Sequence, residues 1–200
     1  MAWDAKPKYD PNKYNRKSTR LHGYDYTQAG AYFVTMVTYQ RDFLFGEIVE
    51  EEMKLNEFGK IADECWLAIP DHFDHVELGA YVIMPNHVHG IIIINDNRRG
   101  AIYRAPAVDS VGVMHASPQQ ASSQQPSPQR GLISGSLGAI VGSFKSAVSR
   151  RIGRAFDITG IWQRNFHDRI IRNEGELERI WRYIETNPSN WADDNENPRL

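Results

Sequence analysis

The chain holds a single cysteine, Cys65, in 200 residues, so no disulfide can form within it. Long apolar runs are also missing. Nowhere are there the roughly 20 consecutive apolar residues that a bilayer-crossing helix needs. The first twenty residues, "MAWDAKPKYDPNKYNRKSTR", lack the apolar stretch of a signal peptide. These absences predict a cytoplasmic protein that is neither secreted nor membrane-bound. No internal repeat is found. An excess of either charge is absent as well: 23 Lys and Arg stand against 25 Asp and Glu, a net charge of −2. Taken whole, that balance argues against a nucleic-acid partner.

The distribution of charge argues the other way. Between Arg41 and Glu77 there are three basic and eleven acidic residues, and between Arg130 and Arg172 eight basic and two acidic. Six basic and two acidic residues fill the first twenty. Local charge governs contact with phosphates, although solvated faces would give the same pattern.

Composition and periodicity divide the chain into a basic arm (1–23), a domain (24–191) and a tail (192–200). "AYFVTMVTY" (31–39) is β-branched and aromatic and predicts a strand. Residues 50–69 carry Met53, Leu55, Phe58, Ile61, Cys65 and Leu67 at near-helical spacing, which predicts a helix stopped by Pro70 with Cys65 as a buried thiol. Residues 75–85 and 87–95 read as a β-hairpin turning at Pro85 and Asn86. The segment 97–134 is rich in Ser, Gln and Pro and predicts a disordered insertion. A helix over 136–153, a strand over 165–172 and a helix over 173–188 follow, the last with Asn173 as cap and Glu176 at the capping-box position. The order β-α-β-β-α-β-α predicts an α+β, ferredoxin-like split βαβ fold: an antiparallel sheet with helices on one face, plus a C-terminal helix.

"MPNHVHGIIIIND" (84–96) carries the chemistry. Side chains alternate across a strand, so His87 and His89 share a face and Val88 takes the other. Two imidazoles so placed suit one shared ion, with a third ligand from elsewhere. Two edge histidines bonded to neighbours would have the same sequence. Gly90 is expected to leave room for a phosphate. On the last helix, Leu177, Ile180, Trp181 and Ile184 form the core stripe. Tyr183 lies on its flank and Asn187, four residues on, shares that flank. Seen alone, a boundary tyrosine with its hydroxyl in water is the simpler assignment. Trp162 and Phe166 can stack on bases or fill the core; the core is the simpler assignment.

"MPNHVHG" resembles the HUH (histidine–hydrophobic–histidine) motif of single-tyrosine transposases, and most of all the REP-associated tyrosine transposases. "RLHGYDYTQAGAYFVTMVTYQR", "GSFKSAVSRRIG", "IWQRNFHDRIIRNE" and "RYIETNPSNW" carry the resemblance along most of the chain. It implies His87 and His89 as metal ligands, Tyr183 as nucleophile and Asn187 as a further ligand, where related enzymes often carry glutamine. The implied cofactor is a divalent metal, magnesium or manganese, although imidazoles also accept zinc. The implied partner is single-stranded DNA carrying a hairpin, and the implied activity is nicking and rejoining through a 5′-phosphotyrosine. Lys145, Arg150, Arg151, Arg154, Arg164, Arg169 and Arg172 are expected to track the DNA backbone, with Lys13, Arg16, Lys17 and Arg20 of the arm adding contacts. Two alternatives stay open: a catalytically silent hairpin-binding protein of the same fold, and a phosphoesterase that uses water. Monomer and homodimer are both compatible.

Overall fold

A computed structural model describes residues 21, 23–96 and 133–198. Nearly all of the predicted insertion and of the basic arm, and the last two residues of the tail, lie outside the described residues. The elements are β1 (Gly30–Val37), β2 (Gly46–Val49), β3 (Glu52–Leu55), α1 (Glu57–Leu67), α2 (Ile69–His72), β4 (Val76–Ile83), β5 (His87–Ile94), α3 (Leu137–Phe156), β6 (His167–Ile171) and α4 (Glu174–Glu185). Four strands form one sheet in the order β4-β5-β1-β6, and every neighbouring pair is antiparallel. That order is the ferredoxin-like arrangement the sequence predicts.

One expectation is corrected. Residues 50–56 are not the start of a helix; they belong to the β2–β3 hairpin, whose turn places Glu50 and Glu51 at positive φ. Met53 and Leu55 are two apart, which fits alternation on a strand as well as a helical stripe. The helix begins only after Asn56, whose side chain accepts a hydrogen bond from the Gly59 amide and caps it.

The sheet buries both faces. On one, Tyr32, Val34, Met36, Val88, Ile92 and Ile94 pack with residues of α1 and α3, among them Trp66, Ile140 and Phe144. On the other, Ala31, Ile91, Ile93 and Ile171 pack with Ile184, Leu177, Ile180 and Trp181 of α4. The helices therefore do not share a side: α4 lies opposite α1 and α3. The stripe predicted on the last helix is the one it buries. All eight residues of β5 are buried, as a strand covered on both faces must be. Cys65 is buried in α1, and Trp162 and Phe166 pack against the first core. Among the described residues, no helix is long and apolar enough to cross a membrane.

Gly90 does not open space for a phosphate. It points to the α1 side, where a Cβ would lie 2.3 Å from the Trp66 ring. Trp66 is fully buried between Tyr81 and Phe144, so its ring has nowhere to go. Gly90→Ala is expected to overpack this contact at a cost of about 1–3 kcal/mol. In thermal unfolding that is a loss on the order of 5 °C. An unchanged melting temperature would show that Trp66 moves freely.

Candidate functional site

Strand parity puts His87 and His89 on the α4 face, at the end of β5 where it leaves the Pro85–Asn86 turn. Their rings lie 4.4 Å apart, centroid to centroid, and both are buried. Each Nδ1 has a partner. Asn86 places its Oδ1 2.9 Å from His87 Nδ1, while its amide nitrogen donates to the carbonyls of Glu196 and Arg41. Asn86 thus offers an acceptor, so His87 carries its proton on Nδ1 and turns the Nε2 lone pair inward. Thr35, directly opposite on β1, places Oγ1 2.8 Å from His89 Nδ1. These outer partners fix both rings as metal-ligating histidines are commonly fixed.

Tyr183 comes from α4 to the same place. Its hydroxyl lies 3.2 Å from His89 Nε2 and donates to Asp194 Oδ2 at 3.3 Å. Phe33 meets the Tyr183 ring edge-on and also packs against His89, which holds the phenol over the pair. Tyr183 is still 44% exposed, so the site opens to solvent at this ring. Asn187, one turn further, is buried and donates from Nδ2 to Asp194 Oδ2 at 2.8 Å. The structure therefore brings together His87, His89, Tyr183 and Asn187.

It also supplies a residue that sequence reasoning missed. Ligand atoms of His87, His89 and Asp194 all lie within 4.8 Å of one another, and this trio can hold a metal ion. Asp194 belongs to the segment assigned to a tail. A short turn over Trp191–Asp193 carries that segment back across the site. Arg41 pairs with Glu196 at 3.1 Å and donates to the Asn195 carbonyl, while Asn197 donates to the Trp191 carbonyl. Nothing in "NWADDNENPRL" distinguishes Asp194 from Asp193, because the contacts that select it span half the chain.

The donor set suits a cation. Two polar atoms here are buried without a hydrogen-bond partner, His87 Nε2 and Asn187 Oδ1. Such orphans are costly unless something else satisfies them. With His89 Nε2 and an Asp194 oxygen they make a mixed nitrogen and oxygen set that fits a divalent ion.

Electrostatics keep the imidazoles neutral. Burial pushes His87 down to about 3, against a smaller opposing effect of Asn187, and pushes His89 well below its ordinary value, with the neighbouring His87 adding to it. Tyr183 is pushed up to about 12, first by burial and then by the Asp194 carboxylate. The histidines make stability depend on pH. Below about pH 6.5 the unfolded chain binds protons that the folded chain refuses. Stability is therefore full above that value and lost as pH falls through the window from about 6.5 towards 3, by at most ~1.4 kcal/mol per pH unit for each histidine. Melting temperatures of metal-free protein between pH 7.5 and 5 test this. A flat profile would mean that the imidazoles protonate in place.

The expected DNA contacts divide. Lys145 is committed to the fold: its ammonium donates to the carbonyls of Gln163 and Asn165, both at 2.7 Å, and burial lowers it to about 8. Arg151 pairs with Glu64, and Arg169 with Glu176 at 2.7 Å. Arg150, Arg151 and Arg154 ride on α3, across the sheet from the histidines. Arg169 pairs with Phe33 on β1 and so faces the site side; Arg164 and Arg172 flank β6 and are exposed. Arg16, Lys17 and Arg20 lie outside the described residues.

No family model matches the chain. An uncharacterized protein of Haemophilus influenzae is 36% identical over 187 residues, covering 94% of this chain and 96% of that protein. Among solved structures, a REP-associated tyrosine transposase bound to a REP hairpin superposes with a TM-score of 0.53 at 16% identity, covering 86% of this chain and 74% of that one.

Proposed function

This chain belongs to one family with the Haemophilus influenzae protein and shares the fold of a REP-associated tyrosine transposase, and we propose that it nicks and rejoins hairpin-bearing single-stranded DNA through Tyr183. The observation that carries this reading is the meeting of the Tyr183 hydroxyl, two neutral imidazoles and Asp194, beside two orphaned buried ligand atoms. A water-based phosphoesterase would have no use for a phenol held there.

In the proposed reaction Tyr183 Oη attacks a phosphorus in line. The bond from phosphorus to the 3′-oxygen breaks as the bond to Tyr183 forms, leaving a 5′-phosphotyrosine and a free 3′-hydroxyl. The phenolic proton passes to Asp194, the acceptor already 3.3 Å away, and the departing 3′-oxygen takes up a proton from solvent to become the hydroxyl. The covalent link keeps the energy of the cleaved bond, so another 3′-hydroxyl can displace the tyrosine and join two strands without ATP. When bound to His87, His89, Asp194 and Asn187, magnesium or manganese supplies polarisation of the phosphate and a counter-charge for the leaving oxygen. His87 and His89 contribute through Asn86 and Thr35, which hold both rings with their lone pairs converging. The strand is placed along β6, where Arg169 faces the site side and Arg164 and Arg172 are exposed. Arg150 and Arg154 are left for the far side of a hairpin.

The test uses hairpin-bearing single strands taken from inverted repeats beside the coding region, labelled at either end. With magnesium or manganese, a 3′ label is expected to travel with the protein on a denaturing gel, and a 5′ label to leave as a free strand ending in 3′-hydroxyl. Binding without any adduct would favour the catalytically silent hairpin-binding protein.

A further inference from the structure

The β2–β3 hairpin is not part of the four-stranded sheet, and nothing in the cleavage chemistry uses it. Between this hairpin and the site lies a cavity of about 630 Å³, lined by Phe43, Glu47, Lys54, Pro85 and Trp191 among others. Trp191 connects the two places. Its ring packs against His87 with centroids 5.9 Å apart and meets Phe43 edge-on at 5.6 Å. Pro85 opens the turn that leads into His87. The cavity therefore begins one aromatic ring away from the proposed metal ligands.

The geometry points to this cavity as the seat of one unpaired nucleobase, adjacent to the phosphate that Tyr183 attacks. The inference rests on the strand-cleavage reading. Three features select a base as the occupant rather than a stretch of phosphate backbone. First, Glu47, Glu50, Glu51 and Glu52 on the hairpin stand against one cation, Lys54, and repel phosphates. Second, Trp191 and Phe43 give the cavity aromatic surface, which a base can contact through its π-face whatever its identity. Third, Glu47 and Lys54 sit directly opposite each other across the hairpin. They offer an acceptor and a donor side by side, which is what the edge of a base carries. Lys54 now holds Glu52 at 2.5 Å, an exposed pair that is cheap to exchange.

The experiment measures binding of Tyr183→Phe protein, which cannot cut, to the hairpin-bearing strands used above. A single abasic residue is placed in turn at every nucleotide of the unpaired flank. One position is expected to lose on the order of tenfold in affinity. The same scan is repeated with Glu47→Ala and Lys54→Ala added. Both side chains are exposed on the hairpin, so the fold should survive, and circular dichroism checks it. At that one position the abasic penalty is expected to shrink in both variants, and elsewhere to stay as it was. An equal penalty with and without Glu47 and Lys54, or no penalty at any position, overturns the inference. The cleavage reading is judged apart from this, by the adduct formed with unmodified DNA and Tyr183 intact. An adduct with a flat scan sinks the nucleobase seat alone; a position-specific penalty without an adduct sinks the cleavage chemistry alone.

Discussion

Tyr183→Phe is expected to abolish the covalent protein–DNA adduct, by at least about a thousandfold, while leaving DNA binding within a few-fold of the parent. The change removes one oxygen and keeps the ring. Phe33 and His89 keep their contacts with that ring, so its position should hold. Asp194 loses one donor but keeps the amide of Asn187, and its other oxygen keeps the backbone amide of Glu196. The lost hydrogen bonds lie at a half-open surface and should cost no more than about 1 kcal/mol of stability. A large fall in activity with little change in melting temperature is thus the signature of a nucleophile. Cleavage that survives in the phenylalanine variant would hand the reaction to water and leave Tyr183 without a role.

His87→Ala is expected to remove cleavage to the same degree, for a different reason. The parent protein should melt at a higher temperature when manganese or magnesium is added, because an ion that binds only the folded chain stabilises it. In the alanine variant that rise should disappear. Loss of an outer partner of a metal ligand typically weakens binding about 10–100-fold, and loss of the ligand itself should exceed that. DNA binding, read by mobility shift, should be largely spared, since a residue with no measurable exposure is not positioned to hold a strand by itself. Equal loss of binding and cleavage would mark His87 as a packing residue. The variant also deletes one of the two groups that refuse protons at low pH, so its acid destabilisation should be shallower than the parent's.

Much of this architecture was readable from residue order alone. The strands around "AYFVTMV" and "HVHGIIII" show their periods clearly, and Asn173 with Glu176 marks the start of α4, where the Asn173 side chain does accept from the Glu176 amide. Tyr183 and Asn187 could be placed on one flank because a helix fixes angles to within a few degrees per residue. The β2–β3 hairpin was not readable, since two apolar residues two apart satisfy both periods at once. The role of Gly90 was readable and still misjudged: if His87 and His89 share a face, residue 90 must lie on the other. Asp194 and its support were beyond reach. Asn86 meets Glu196 across 110 positions of sequence, and no local pattern encodes such a meeting.

The unbroken pairing of β5 with β1, residue for residue from Val37 opposite His87 to Gly30 opposite Ile94, carries a further consequence. β4 tolerates a bulge between Leu78 and Tyr81, but β1 offers no such slack. Deleting or duplicating a single codon inside "HVHGIIII" would turn the strand over like a card. Both imidazoles would then be thrust under Trp66, and Val88 or Gly90 would stand where His89 now meets Tyr183. Length in this octapeptide is therefore a stricter constraint than identity: an isoleucine exchanged for valine should be survivable, whereas an indel of one residue should cost both the fold and the chemistry together.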